Sequence, residues 1–101
     1  MLSEYENLSA FSASRAECRH HLIFGTGLRR LAEEDGLWIP LTNNEHNMSP
    51  DPTMRIHGNP VAEKLSKMCG QLAWEMQAVA QGASEIDARD AFRRRYGISY
   101  L

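Results

Sequence analysis

The alternation of apolar and polar positions changes rhythm along the chain, and each change predicts an element. Ser3-Glu4-Tyr5-Glu6 forms an S-x-x-E capping box, with Leu8 and Phe11 at helical spacing from Tyr5, which predicts a short N-terminal helix over residues 3–12. Residues 12–17 could extend it or turn. From Arg19 the period shortens, and His20-His21-Leu22-Ile23-Phe24 reads as a strand ended by Gly25-Thr26-Gly27. Leu28, Leu31 and Ala32 then fall at i, i+3, i+4 ahead of Gly36, the pattern of a brief helix over 28–35. Leu37-Trp38-Ile39-Pro40-Leu41 is a second apolar run, and Pro40, lacking an amide donor, puts it at a sheet edge or near its end. Two strands alone are marginal, so a helix must pack on them. Thr42 or Asn43 can cap that helix, which carries His46 in its first turn or two before Ser49-Pro50-Asp51-Pro52 breaks it.

The second half of the chain is helical in pattern. Asn59 as cap with Pro60 at the first helical position is a strong start. Val61, Leu65, Met68, Leu72, Met76 and Val79 recur every three or four residues, so one long helix runs to Gly82. Ser84-Glu85-Ile86-Asp87 opens a last helix with Phe92 and Tyr96 on its apolar side and Gly97 closing it. Met54, Met68 and Met76 read as core filling, Trp74 as packing against the last helix, and the apolar tail 98–101 as docked. The fold class is α+β. One domain spans 1–101: an N-terminal helix (1–17), a ββα core (18–58) and a helical extension (59–101).

Size and composition narrow this further. A chain of 101 residues can bury roughly two thirds of its unfolded surface around one core. The two cysteines, Cys18 and Cys69, have no CxxC spacing, and no run approaches the about 18 apolar residues a membrane span needs. Residues 1–9, MLSEYENLS, lack the basic and apolar regions of a secretory signal, so a reduced, cytoplasmic setting and no membrane partner are expected. The net charge of −2 gives no global case for nucleic acid. Nine of the 11 cationic residues are Arg, however, and seven of them gather as Arg15 with Arg19, Arg29-Arg30 and Arg93-Arg94-Arg95. A planar guanidinium suits phosphate, which makes Arg29, Arg30, Arg93 and Arg94 candidate nucleic-acid contacts; solvated, ion-paired helix faces are the plainer account. At a helix C-terminus, Arg93-Arg94-Arg95 also complements the helix dipole.

The histidines carry the candidate chemistry. Successive strand residues point to opposite faces, so only one of His20 and His21 can face the helix that bears His46. One imidazole can then bind a metal with His46 while its neighbour takes a proton from an attacking water. Imidazole ligands favour Mn, Zn, Ni or Co over Mg. Asn47, Glu45 and His57 are all candidates for a third ligand, and ordinary hydrogen-bonded histidines are the alternative to a site.

The stretch HHLIFGTGLRRLAEEDGLWIPLTNNEHNM resembles the core of the phage-type HNH endonuclease-like family, whose members read approximately HH-x3-G-x3-RK-S-x3-GL-x3-L-C-x2-HHN. Ile56-His57 resembles the family's VH step, Gln71-Leu72-Ala73-Trp74-Glu75 its AQ-x-x-E helix, and residues 91–101 its F-R-x-x-F-G-x-S-Y-L ending, so the likeness covers about 18–101. The resemblance implies a ββα-metal finger with added helices. It also implies His20 and His46 as ligands of one divalent ion (Mn, Ni, Zn or Mg), with His57 as a further ligand candidate, and His21 as general base. Thr42 replaces a cysteine and Glu45 a common histidine of the relatives' zinc site, so no structural zinc is expected. The asparagine that gives the family its N falls on Leu28, leaving Asn43, Asn44 or no residue to orient the base.

The function so implied is metal-dependent hydrolysis of DNA phosphodiesters by a phage-encoded enzyme in the host cytoplasm, with backbone contacts and little sequence readout. A catalytically inactive relative binding a protein partner, such as a host defence nuclease, through Glu33-Glu34-Asp35 is the alternative. A metal-free helical DNA-binding regulator is a third reading. A homodimer would compensate for the small surface available to clamp DNA.

Overall fold

The computed structural model describes residues 1–101. Strand β1 (Cys18–His21) pairs antiparallel with β2 (Trp38–Leu41), placing His20 opposite Ile39 and His21 opposite Trp38. Helix α1 (Leu28–Glu34) lies between them in sequence, and α2 (Pro60–Ala80) and α3 (Glu85–Tyr96) follow. The α+β class and the two-stranded sheet agree with the sequence reading. So do the starts of the last two helices: the Asn59 side chain accepts the Ala62 amide, and Ser84 accepts that of Asp87.

The N-terminal segment corrects its expectation, for residues 3–12 form no helix. The Ser9 hydroxyl accepts the amides of Phe11 and Ser12, Ala13 turns the chain at φ 60°, and Leu8 pairs with Arg15. The tight turn this builds replaces helical bonding, since serine offers the backbone a competing acceptor. The segment lies along β2, with the amides of Leu2 and Ala10 donating to the carbonyls of Trp38 and Pro40. Residues in a strand present N and C=O to the same side, so the Pro40 nitrogen also faces away from β1, where no ladder donor is required.

Leu22 and Ile23 divide the interior. Leu22 joins Ile39, Leu41 and Ile56 under the sheet, whereas Ile23 joins Ala32, Leu37, Phe92 and Tyr96 between the helices. Trp74 meets Phe92 of the last helix edge-on at 5.6 Å, the packing expected of it. Asp35, just past α1, accepts from Trp74, Tyr96 and Arg95 and ties α1 to the last two helices.

The apolar stripe of α2 corrects another expectation: it is not the buried face. Val61 (68% exposed), Leu65, Leu72, Met76 (71%) and Val79 face outward, and Met54 is exposed too, so Met54 and Met76 fill no core. The inward face carries Ser66, Gly70 and Gln71. Gly70 allows the approach, since a Cβ there would sit 2.8 Å from Ile23 Cγ1. Gln71 is satisfied by Glu75, Ser99 and the Tyr100 amide, which docks the tail while leaving Ile98 exposed.

Candidate metal centre

Strand alternation separates the paired histidines. His20 is fully buried on the inner face of β1, and His21 lines an open cleft. After β2, Thr42 and Glu45 cap each other reciprocally: the Glu45 carboxylate accepts the Thr42 amide at 2.9 Å and the Thr42 hydroxyl accepts the Glu45 amide at 3.2 Å. Burial raises the Glu45 carboxyl, but its hydrogen bonds from Ser9 and Thr42 more than reverse this and leave it below its ordinary value. Glu45 is thus taken up by capping and stands outside the cluster formed by His20, His46 and His57.

The turn that this box opens is π-helical, Asn44–Met48, and it ends at the Ser49-Pro50-Asp51-Pro52 break that the sequence marks. The carbonyls of Glu45 and His46 are accordingly free to accept the amides of Ile56 and His57, at 2.9 and 3.0 Å. That two-residue ladder draws His57 across the proline-containing loop to the side of His46. Arg55 fastens the loop by donating to the carbonyls of Ser49 (2.6 Å) and His57 (2.7 Å). Gly58, at φ 82°, leaves room for this clamp, because a Cβ there would lie 2.8 Å from the Arg55 guanidinium.

His20, His46 and His57 converge. Their ring centroids lie 4.6–5.3 Å apart, and one nitrogen of each falls within 4.8 Å of the others. Phe24 walls the group, edge-on to His57 at 4.7 Å. Burial, with the nearby rings of His46, His57 and His21, pushes His20 down to about 3. Burial, then His57, His21 and Arg29, also lowers His46. Both rings are therefore neutral near pH 7, the form that donates a lone pair. His20 Nδ1 is buried without a hydrogen-bond partner, an orphaned acceptor of the kind a cation would satisfy. The donor set fits a divalent ion that accepts imidazole, and three protein ligands would leave positions for water or substrate.

The cleft on the open side, about 610 Å³, is lined by Arg19, His21, Arg29, Arg30, His46, Asn47 and His57 together with Phe24, Gly25 and Gly27. His21 Nε2 bonds to Glu33 at 2.6 Å, and Arg19, stacked on Trp38, holds the other Glu33 oxygen at 2.6 Å. The His21 bond, with Arg19 beside it, keeps the Glu33 carboxyl below its ordinary range, so it accepts the Nε2 proton and leaves Nδ1 as the basic nitrogen. Glu33 is thus the residue that holds the His21 ring, a position for which the sequence had offered Asn43, Asn44 or nothing. Its only trace in the sequence is that it lies on a helix adjoining the histidine strand.

Arg29 and Arg30 border this cleft, whereas Arg93 and Arg94 lie in the last turn of α3 and do not line it. A second hollow, about 670 Å³, lies behind the Leu22 and Ser66 wall and is mainly apolar, with none of the four histidines in its lining. Cys18 and Cys69 are free thiols, and no helix is long and apolar enough to cross a membrane. No protein-family model, curated protein or solved structure matches this chain.

Proposed function

We propose that the chain is a metal-dependent phosphodiesterase of the HNH type that cleaves DNA. The observation that carries this reading is the meeting of His20, His46 and His57 beside a cleft that also holds the Glu33-oriented His21 and the exposed Arg29 and Arg30. His20, His46 and His57 would hold the ion. A bound divalent cation would polarise the scissile phosphate and stabilise the departing oxygen. His21 removes the proton of the attacking water through Nδ1, while Glu33 stabilises the imidazolium that forms. Arg29 and Arg30 position the backbone phosphates without reading bases.

The acidic group on which the inhibitor alternative relies has partners within the chain. Glu33 is engaged by Arg19 and His21, Glu34 by Arg30 and Arg95, and Asp35 by Arg95, Tyr96 and Trp74, so this acidic group is largely paired within the chain. Supercoiled plasmid incubated with the protein in Mn²⁺, Ni²⁺ or Mg²⁺, and in chelator alongside, tests the proposal. Nicking in Mn²⁺ or Ni²⁺ that chelator abolishes is expected. Intact plasmid with every ion would overturn it.

A further inference from the structure

The first two turns of α2 lie outside the strand-and-turn unit that carries the histidines, yet they touch two of the three rings. Ser66 Oγ lies 2.7 Å from His20 Nε2 and 2.8 Å from the Leu22 carbonyl oxygen. A hydroxyl has one proton, and a carbonyl oxygen can only accept. The Ser66 proton therefore goes to Leu22, and its oxygen accepts from His20, so His20 carries its hydrogen on Nε2. The lone pair is left on Nδ1, the buried atom with no partner. One turn earlier, Glu63 Oε2 lies 3.5 Å from His57 Nδ1. Residues at i and i+3 share a helix face, so a single face of α2 addresses both imidazoles.

From this geometry we infer that Ser66 and Glu63 are positioning residues of the metal centre: Ser66 presents His20 to the ion through Nδ1, and Glu63 presents His57 through Nε2. The two rings would bind through opposite nitrogens because α2 hydrogen-bonds Nε2 of His20 and sets a carboxylate beside Nδ1 of His57. A ligand histidine is typically fixed in this way by a partner at its far nitrogen, and removing such a partner weakens metal affinity about 10–100-fold. The long helix is thus part of the site as well as a support for it. The ligating half of the inference rests on the metal reading above, whereas the proton position on His20 does not.

Two measurements test it. Long-range ¹H–¹⁵N correlation spectra of the metal-free wild type are expected to show His20 protonated at Nε2 and bare at Nδ1. In Ser66→Ala the same ring is expected to lose that single pattern. A proton on Nδ1 in the wild type, or an unaltered His20 spectrum in Ser66→Ala, would overturn the assignment without any reference to metal. Calorimetric titration with Mn²⁺ and Co²⁺ is expected to give about 10–100-fold weaker binding for Ser66→Ala, with Ser66→Thr restoring most of it, and about tenfold weaker binding for Glu63→Gln. Wild-type affinity in a folded Ser66→Ala would overturn the positioning role. A wild type that binds neither ion would overturn the ligating half together with the metal reading, and the ring spectrum separates that failure from an error in the proton position.

Discussion

His20 and His21 are neighbours in sequence but belong to different regions of the molecule. On the inner side of β1, His20 is fully buried, bonded to a neutral hydroxyl, and faces two further imidazoles. The outer side opens on the cleft, where His21 is bonded to a carboxylate that an arginine also holds. The contrast shows how one strand gives two adjacent, identical side chains different surroundings. Burial keeps His20 uncharged, whereas His21 stays at the cleft surface, tied to the Glu33 carboxylate.

The sharpest test of this contrast is His21→Ala, which is expected to reduce plasmid nicking about 10²–10⁴-fold while leaving the Mn²⁺ isotherm unchanged. His20→Ala and His46→Ala are expected to do the reverse at the level of binding, each weakening Mn²⁺ affinity at least about tenfold. Equal loss of metal by His20→Ala and His21→Ala would erase the distinction. Glu33→Gln keeps the shape but removes the charge beside His21, so nicking should fall by about tenfold with metal affinity retained.

Acid probes the inner side specifically. The pKa of His20 is depressed in the folded protein, so between about pH 6.5 and about 3 the unfolded chain binds a proton that the folded chain refuses. His46 shifts in the same direction. The metal-free protein should therefore lose stability as pH falls through this window, at up to about 1.4 kcal/mol per pH unit from His20. Denaturant midpoints in His20→Gln should show a shallower decline. The same acid slope in variant and parent would mean that these rings are not what acid attacks.

Much of this division was legible in the sequence, because it follows from the two-residue period of a strand and from capping chemistry. The split of His20 from His21, the Asn59-Pro60 and Ser84 helix starts and the packing of Trp74 all depend on local rules. What was illegible depends on partners distant in the chain. Glu33 lies 12 residues from His21 and Ser66 lies 46 from His20, and no periodicity marks either pairing. The third ligand stayed open between Asn47, Glu45 and His57 because the π-helical turn that leaves the His46 carbonyl free for the His57 amide is a tertiary choice. The N-terminal helix failed because Ser9 supplied a competing acceptor and β2 offered carbonyls to pair with. The outward stripe of α2 shows that apolar spacing predicted the helix correctly, although its orientation was set by hydrogen bonds and by a gap at Gly70.

Gly70→Ala is the mildest perturbation of the set, expected to cost about 1–3 kcal/mol in a denaturant titration because its methyl would overlap Ile23. The missing methyl also works as a spacer gauge. It sets how near the helix axis comes to Leu22 and Ile23, just past β1, one turn beyond the Ser66–His20 bond. A substitution here that leaves every chemical group of the centre in place would still detune it by widening that gap, so at this position tolerance of the fold and precision of the chemistry must rise and fall together.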